Sequence, residues 1–171
     1  MKFFKTHLPG MFVVELEPIT DERGFFARSW CRKEFAEHGL DTNVVQCNVS
    51  VNHARGTLRG MHLQRPPHGE AKLVRCTRGA VCDVVVDLRP DSPAYLKHCA
   101  TNLAYDNYTM AYVPEGCAHG FQTLTDDTEV FYQMSTAYAA EAAVGYRWDD
   151  PSFGIEWPLP VTVISARDRD Y

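Results

Sequence analysis

Residues 43–51, NVVQCNVSV, alternate in side-chain character with a period of two: Val45, Cys47, Val49 and Val51 fall on one face, and Gln46, Asn48 and Ser50 on the other. That is the pattern of a strand with one face toward a core and one polar face. Short β-branched or aromatic runs recur at 11–16 (MFVVEL), 71–76 (AKLVRC), 80–88 (AVCDVVVDL), 109–113 (TMAYV) and 128–134 (TEVFYQM), separated by glycine, proline and aspartate turns. One short helix is expected at 32–38 (RKEFAEH), stopped by Gly39 as a left-handed cap. There are no repeats, linkers or low-complexity stretches. The whole chain, 1–171, therefore reads as a single all-β domain, a sandwich or barrel.

With 171 residues and 45% apolar side chains, the chain can bury a core without disulfide staples. A net charge of -5 with no lysine- or arginine-rich run excludes nucleic acid and anionic membrane as partners, but leaves room for a small anionic ligand. The first residues, MKFFKTHLPGMFVVELEP, hold apolar runs broken by Lys5, His7 and Pro9, too short for a secretory or membrane-spanning segment. A soluble, cytoplasmic protein is expected. The six cysteines include no C-x-x-C pair and read as reduced thiols, mostly core, with Cys117 a small apolar filler.

Two segments carry the chemistry. In RGMHLQRPPHGEAKLVRCTRG (59–79), His62 and Gln64 share a strand face, and Gly60 permits close approach of a backbone or ligand. Lys72 shares a face with Val74 and Cys76, so it sits at a rim or in a polar pocket with an anionic partner. Asp83 and Asp87, read as lying on the opposite face of the following strand from its valines, are candidates for that partner. In VPEGCAHGFQTL (113–124) a proline-glycine turn delivers His119 into a strand. Amide, histidine and lysine side chains on successive strands converge where a barrel gathers its inward faces into one cavity.

These segments resemble the two motifs of the cupin superfamily and, in detail, the dTDP-4-dehydrorhamnose 3,5-epimerase family. The matching residues run co-linearly through DERGFF (21–26), QCNVS (46–50), GTLRGMH (56–62), KLVR (72–75), DVVVDLR (83–89), PEGCAHGF (114–121), FYQ (131–133), WDDP (148–151) and S-x-R-D (165–168). The resemblance implies a cupin-like jelly-roll barrel or sandwich with a few short helices. It also implies a cofactor-independent isomerase that inverts C3, C5 or both in a nucleotide-linked 4-keto-6-deoxyhexose. Many cupins hold a metal through an H-x-H pair, a glutamate and a later histidine. Here the pair reads His62-Leu63-Gln64, leaving only His62, Glu70 and His119, so a metal-free site is expected.

The hydrogens on C3 and C5 of a 4-keto sugar are α to the carbonyl, so inversion needs a base, an acid across the ring and a cation at the enolate oxygen. The resemblance assigns these roles to His62, Tyr132 and Lys72, with Asp168 orienting the base. An imidazole, ordinarily titrating at about 6.5, suits the base near neutral pH. Substrate positioning falls by the same resemblance to Arg23, Phe26, Gln46, Asn48, Arg59, His119 and Tyr138. The arginines suit the diphosphate and Tyr138 the nucleobase. A homodimer that exchanges N-terminal strands, each subunit completing its neighbour's site, is also implied.

Three positions depart from the family pattern. Arg28 and Ala143 stand where glutamates are usual, and Arg167 replaces a lysine. We keep Arg28 and Arg167 in the substrate-binding set. Facing the base, Arg28 would donate to cytosine or guanine acceptors, whereas a glutamate suits the N3–H of thymine; facing solvent or a phosphate, it carries no such preference. A 3-only or 5-only epimerase or a ketoisomerase on a CDP- or GDP-linked keto sugar therefore stays open. A non-catalytic sugar-binding cupin is the alternative of another class, which a broken base or acid would mark.

Overall fold

The computed structural model describes residues 1–171. Its strands are β1 (Lys2–Lys5), β2 (Phe12–Glu15), β3 (Ile19–Asp21), β4 (Gly24–Phe26), β5 (Gln46–Asn52), β6 (Thr57–Gln64), β7 (Lys72–Arg78), β8 (Ala80–Asp87), β9 (His98–Ala104), β10 (Thr109–Val113), β11 (Cys117–Thr123), β12 (Thr128–Met134), β13 (Ala143–Gly145) and β14 (Val163–Ile164). Two short helices, α1 (Arg32–Glu37) and α2 (Ala166–Arg169), complete the chain. Gly39 follows α1 with φ +70°, the left-handed stop read from the sequence.

One sheet runs in the order β1-β2-β10-β7-β12-β5, and the other in the order β13-β6-β11-β8-β9 with β14 added beside β6. They pack face to face. Val74, Ala111, Val113 and Val130 of the first meet Val81, Val85, Cys117 and Phe121 of the second in the central core. The outer face of the first sheet is partly covered by Phe35 and Leu40, from α1 and the turn after it, and that of the second by Phe153 and its neighbours Ile155 and Trp157. Cys117 is buried in the central core, as a small filler should be.

Two readings of strand faces are corrected here. The apolar face of β5 is not core: Val45, Val49 and Val51 are all exposed, as is Cys47. The period of two states which residues share a face, not which face is covered. β5 is an edge strand whose polar face points into the sandwich. In β8, Asp83 and Asp87 share their face with Val81 and Val85 rather than opposing the valines, because valines occupy both sides of this doubly buried strand.

A bulge decides what β6 presents. His119 pairs with His62 but Phe121 pairs with Arg59, so three residues of β6 answer two of β11. Strict alternation would put Arg59 and His62 on opposite faces; the extra residue brings both inward. Gly60 makes this possible, with φ +132° and a position where a Cβ would stand 2.5 Å from Gly120 Cα. Gly60→Ala is expected to cost about 2–4 kcal/mol of stability, seen as a lower denaturation midpoint at unchanged slope. An unchanged midpoint would show that the bulge tolerates a side chain.

Candidate active site

Inward side chains of both sheets converge on two adjoining hollows of about 270 and 280 Å³. The first sheet contributes Gln46 and Asn48 from β5, Lys72 from β7 and Tyr132 from β12; the facing sheet contributes Arg59 and His62 from β6 and His119 from β11. Tyr138, from the loop after β12, and Arg167 and Asp168, from α2, close one side. His62 and Tyr132 thus stand on opposite walls.

His62 Nε2 lies 2.7 Å from Asp168 Oδ1, while the Gly60 N–H donates to Asp168 Oδ2 at 3.3 Å. Asp168 is held from its own helix start, since its N–H donates to the Ser165 side chain that caps α2. Burial works to raise the Asp168 carboxyl, but the His62 hydrogen bond and charge, with the Gly60 N–H, outweigh it and hold the group below the usual carboxylate range. An ionised carboxylate only accepts, so in the neutral imidazole Nε2 carries the proton and Nδ1 keeps a lone pair. Beside this dyad is a second: His119 Nε2 lies 2.7 Å from Asp83 Oδ2, both groups buried. Burial, reinforced by the Asp83 charge, pushes the Tyr132 phenol well above its ordinary range, so it stays protonated.

The remaining cations differ in their partners. Lys72 Nζ lies 3.0 Å from Glu70 Oε1. Arg59 donates to Asn52 Oδ1 at 2.7 Å and to the Val51 carbonyl, and Arg167 donates to the Tyr171 hydroxyl. Gln46 and Asn48 are linked to each other, and the Tyr138 N–H donates to Gln46 Oε1. Gln64, at the position where metal cupins place a second histidine, has its amide committed to the backbone of His68, Ala137 and Ala139.

A family model described as dTDP-4-dehydrorhamnose 3,5-epimerase matches residues 5–171. The chain belongs to the dTDP-4-dehydrorhamnose 3,5-epimerase family. The family member from Methanothermobacter thermautotrophicus is 42% identical, over 99% of this chain and 92% of its own length. The crystal structure of the Elizabethkingia anophelis epimerase aligns with a TM-score of 0.96 at 36% identity, over 99% of this chain and 94% of its own. That of the Bacillus anthracis epimerase, with TDP and PPi bound, aligns at 0.94 and 37% identity, over 98% of this chain and 96% of its own. The fold is the cupin-like jelly roll of these epimerases, and the chain is an isomerase of that family.

Three residues expected at the candidate site do not line its hollows. Arg23 and Phe26 lie on or beside the β3–β4 hairpin, with Phe26 75% exposed, and Arg28 is ion-paired with Glu34 at 2.6 Å. A larger hollow of about 390 Å³ beneath that hairpin, on the outer face of the first sheet, holds none of His62, Lys72, Tyr132 or Asp168. The expected anionic partners of Lys72 are also corrected: Asp83 is taken by His119 and Asp87 by Arg89, leaving Glu70. Glu70 was legible, because two residues apart in an extended chain means the same face. Ser165 was legible too, three residues before Asp168 in a capping pattern.

Proposed function

We propose that this family member inverts C3 and C5 of a dTDP-linked 4-keto-6-deoxyhexose, with His62 as base and Tyr132 as acid. The observation that carries this reading is their opposition. Inversion removes a proton from one face of the ring and returns one to the other, and here a base and a neutral phenol stand on facing sheets. The Nδ1 lone pair of His62 takes the α proton, and the electrons move to the C4 oxygen as an enolate. Lys72 balances that charge within a largely desolvated wall. Tyr132 then protonates carbon from the far side, since an enolate carbon is a much stronger base than a phenolate.

Arg59 and Arg167, held only by neutral groups, suit the diphosphate, and the exposed Tyr138 suits the nucleobase. Arg28, exposed and paired with Glu34, lends no support to a cytosine- or guanine-linked substrate. Offered dTDP-, CDP- and GDP-linked 4-keto-6-deoxy sugars separately, the protein should convert the dTDP-linked one fastest. Conversion of none, with the fold intact, would return it to the class of sugar-binding cupins.

The assembly we propose is a homodimer. Outward Val49 and Val51 of β5 are exposed, Arg75 on the same outer surface has a buried Nε without a partner, and the β3–β4 hairpin shows Ile19 and Phe26 to solvent. A two-stranded hairpin has little stability by itself. A second copy covering this surface would receive Arg23 and Phe26 into its own cavity. Sedimentation equilibrium is expected to return a dimer, with Val49→Glu shifting it toward monomer and raising KM. A fully active monomeric wild type would contradict this. Six unpaired thiols fit a cytoplasmic setting, and no helix is long and apolar enough to cross a membrane.

A further inference from the structure

Among the lysine and arginine side chains of the cavity wall, Lys72 alone has a carboxylate of its own. Its Nζ lies 3.0 Å from Glu70 Oε1, and each side chain is only 8% exposed. A second, longer contact runs 3.4 Å to the His62 carbonyl oxygen. An ammonium has three N–H donors. Two are spent along the wall, and the third is left for the adjoining hollows, of which Lys72 lines one and Glu70 the other. A lysine stem has four flexible carbons and no intrinsic direction. The other carboxylates on this side of the fold are committed elsewhere, Asp168 to His62, Asp83 to His119 and Asp87 to Arg89. Only Glu70 is free to fix where the ammonium sits.

We propose that Glu70 is a positioning residue for the epimerisation. Accepting from Nζ, it pins the Lys72 ammonium beside His62, so that the remaining N–H is already aimed where the enolate oxygen forms. This rests on the reading of Lys72 as the cation at the enolate. A donor aimed in advance needs no reorientation when charge develops, so its loss falls on kcat rather than on KM. The acceptor oxygen does the pinning, and an amide oxygen in its place keeps it.

The test compares Glu70→Ala, Glu70→Gln and Glu70→Asp, alone and with Lys72→Ala, by kcat and KM for the dTDP-linked keto sugar. Glu70→Ala is expected to lower kcat by about 10–100-fold, the range that a misplacement near 1 Å produces, with KM nearly unchanged. Glu70→Gln should stay within about threefold of wild type, because the amide oxygen still accepts. Glu70→Asp retracts the acceptor by one methylene and should slow kcat, which serves if the alanine variant does not fold. In the Lys72→Ala background, Glu70→Ala should cause no further loss. Wild-type kcat in both Glu70→Ala and Glu70→Asp, a Glu70→Gln as slow as the alanine variant, or a full further loss without Lys72 would each overturn the proposal. A fully active Lys72→Ala would instead remove the enolate role of Lys72 itself.

Discussion

His62→Asn should lose solvent exchange at both C3 and C5 together, by about 10²–10⁴-fold, while folding as the wild type does. Both histidines of the wall are tied to a carboxylate through Nε2, but the His62 side chain is 41% exposed and that of His119 only 5%. The shorter asparagine amide does not reach the place of Nε2, but Asp168 keeps the Gly60 N–H and the Ser165 cap, so α2 keeps its anchor and the cavity its shape. What disappears is the more accessible imidazole of the wall, the group proposed to take the α proton. Equal loss at the two carbons is the informative part. Exchange retained at one carbon would mean that His119 or another group serves as base there.

Tyr132→Phe should separate two rates that are coupled in the wild type. The substitution removes a hydroxyl and almost no volume, and the ring keeps its packing against the central core and its edge contact with His119. Deprotonation by His62 continues, so hydrogen at C3 and C5 still exchanges with solvent. Protonation from the opposite wall does not, and inversion should fall by about 10²-fold or more. In the wild type, burial keeps the phenol protonated across the neutral range, so this step should show no loss of acid as pH rises toward 9. Inversion and exchange both at wild-type rates would make Tyr132 a packing residue.

The all-β class and the strands β2, β5, β7, β8, β10 and β12 were legible because alternation and turn residues are local signals. Burial is not local. NVVQCNVSV announces a strand, but only the sheet order reveals that its valines face outward and its amides line the cavity. The facing pair Arg59 and His62 was hidden for a related reason: Gly60 signals a close approach, while the register slip beside it depends on how β11 pairs. Valines on both sides of β8 erased the alternation that would have placed Asp83 with His119. α2 is four residues long, too short for a helical period, and only its Ser165 cap could be read ahead. One histidine and one tyrosine have no diagnostic spacing. The joint role proposed for them came through family likeness, and their places on facing walls suit it.

The most direct test of the central claim is proton magnetic resonance of the dTDP-linked 4-keto-6-deoxy sugar after turnover in heavy water. Removal and return of protons on opposite walls predicts solvent deuterium at both C3 and C5 of the product, with both centres inverted. Inverted product that carries no deuterium at either carbon would contradict an enolate pathway through His62 and Tyr132.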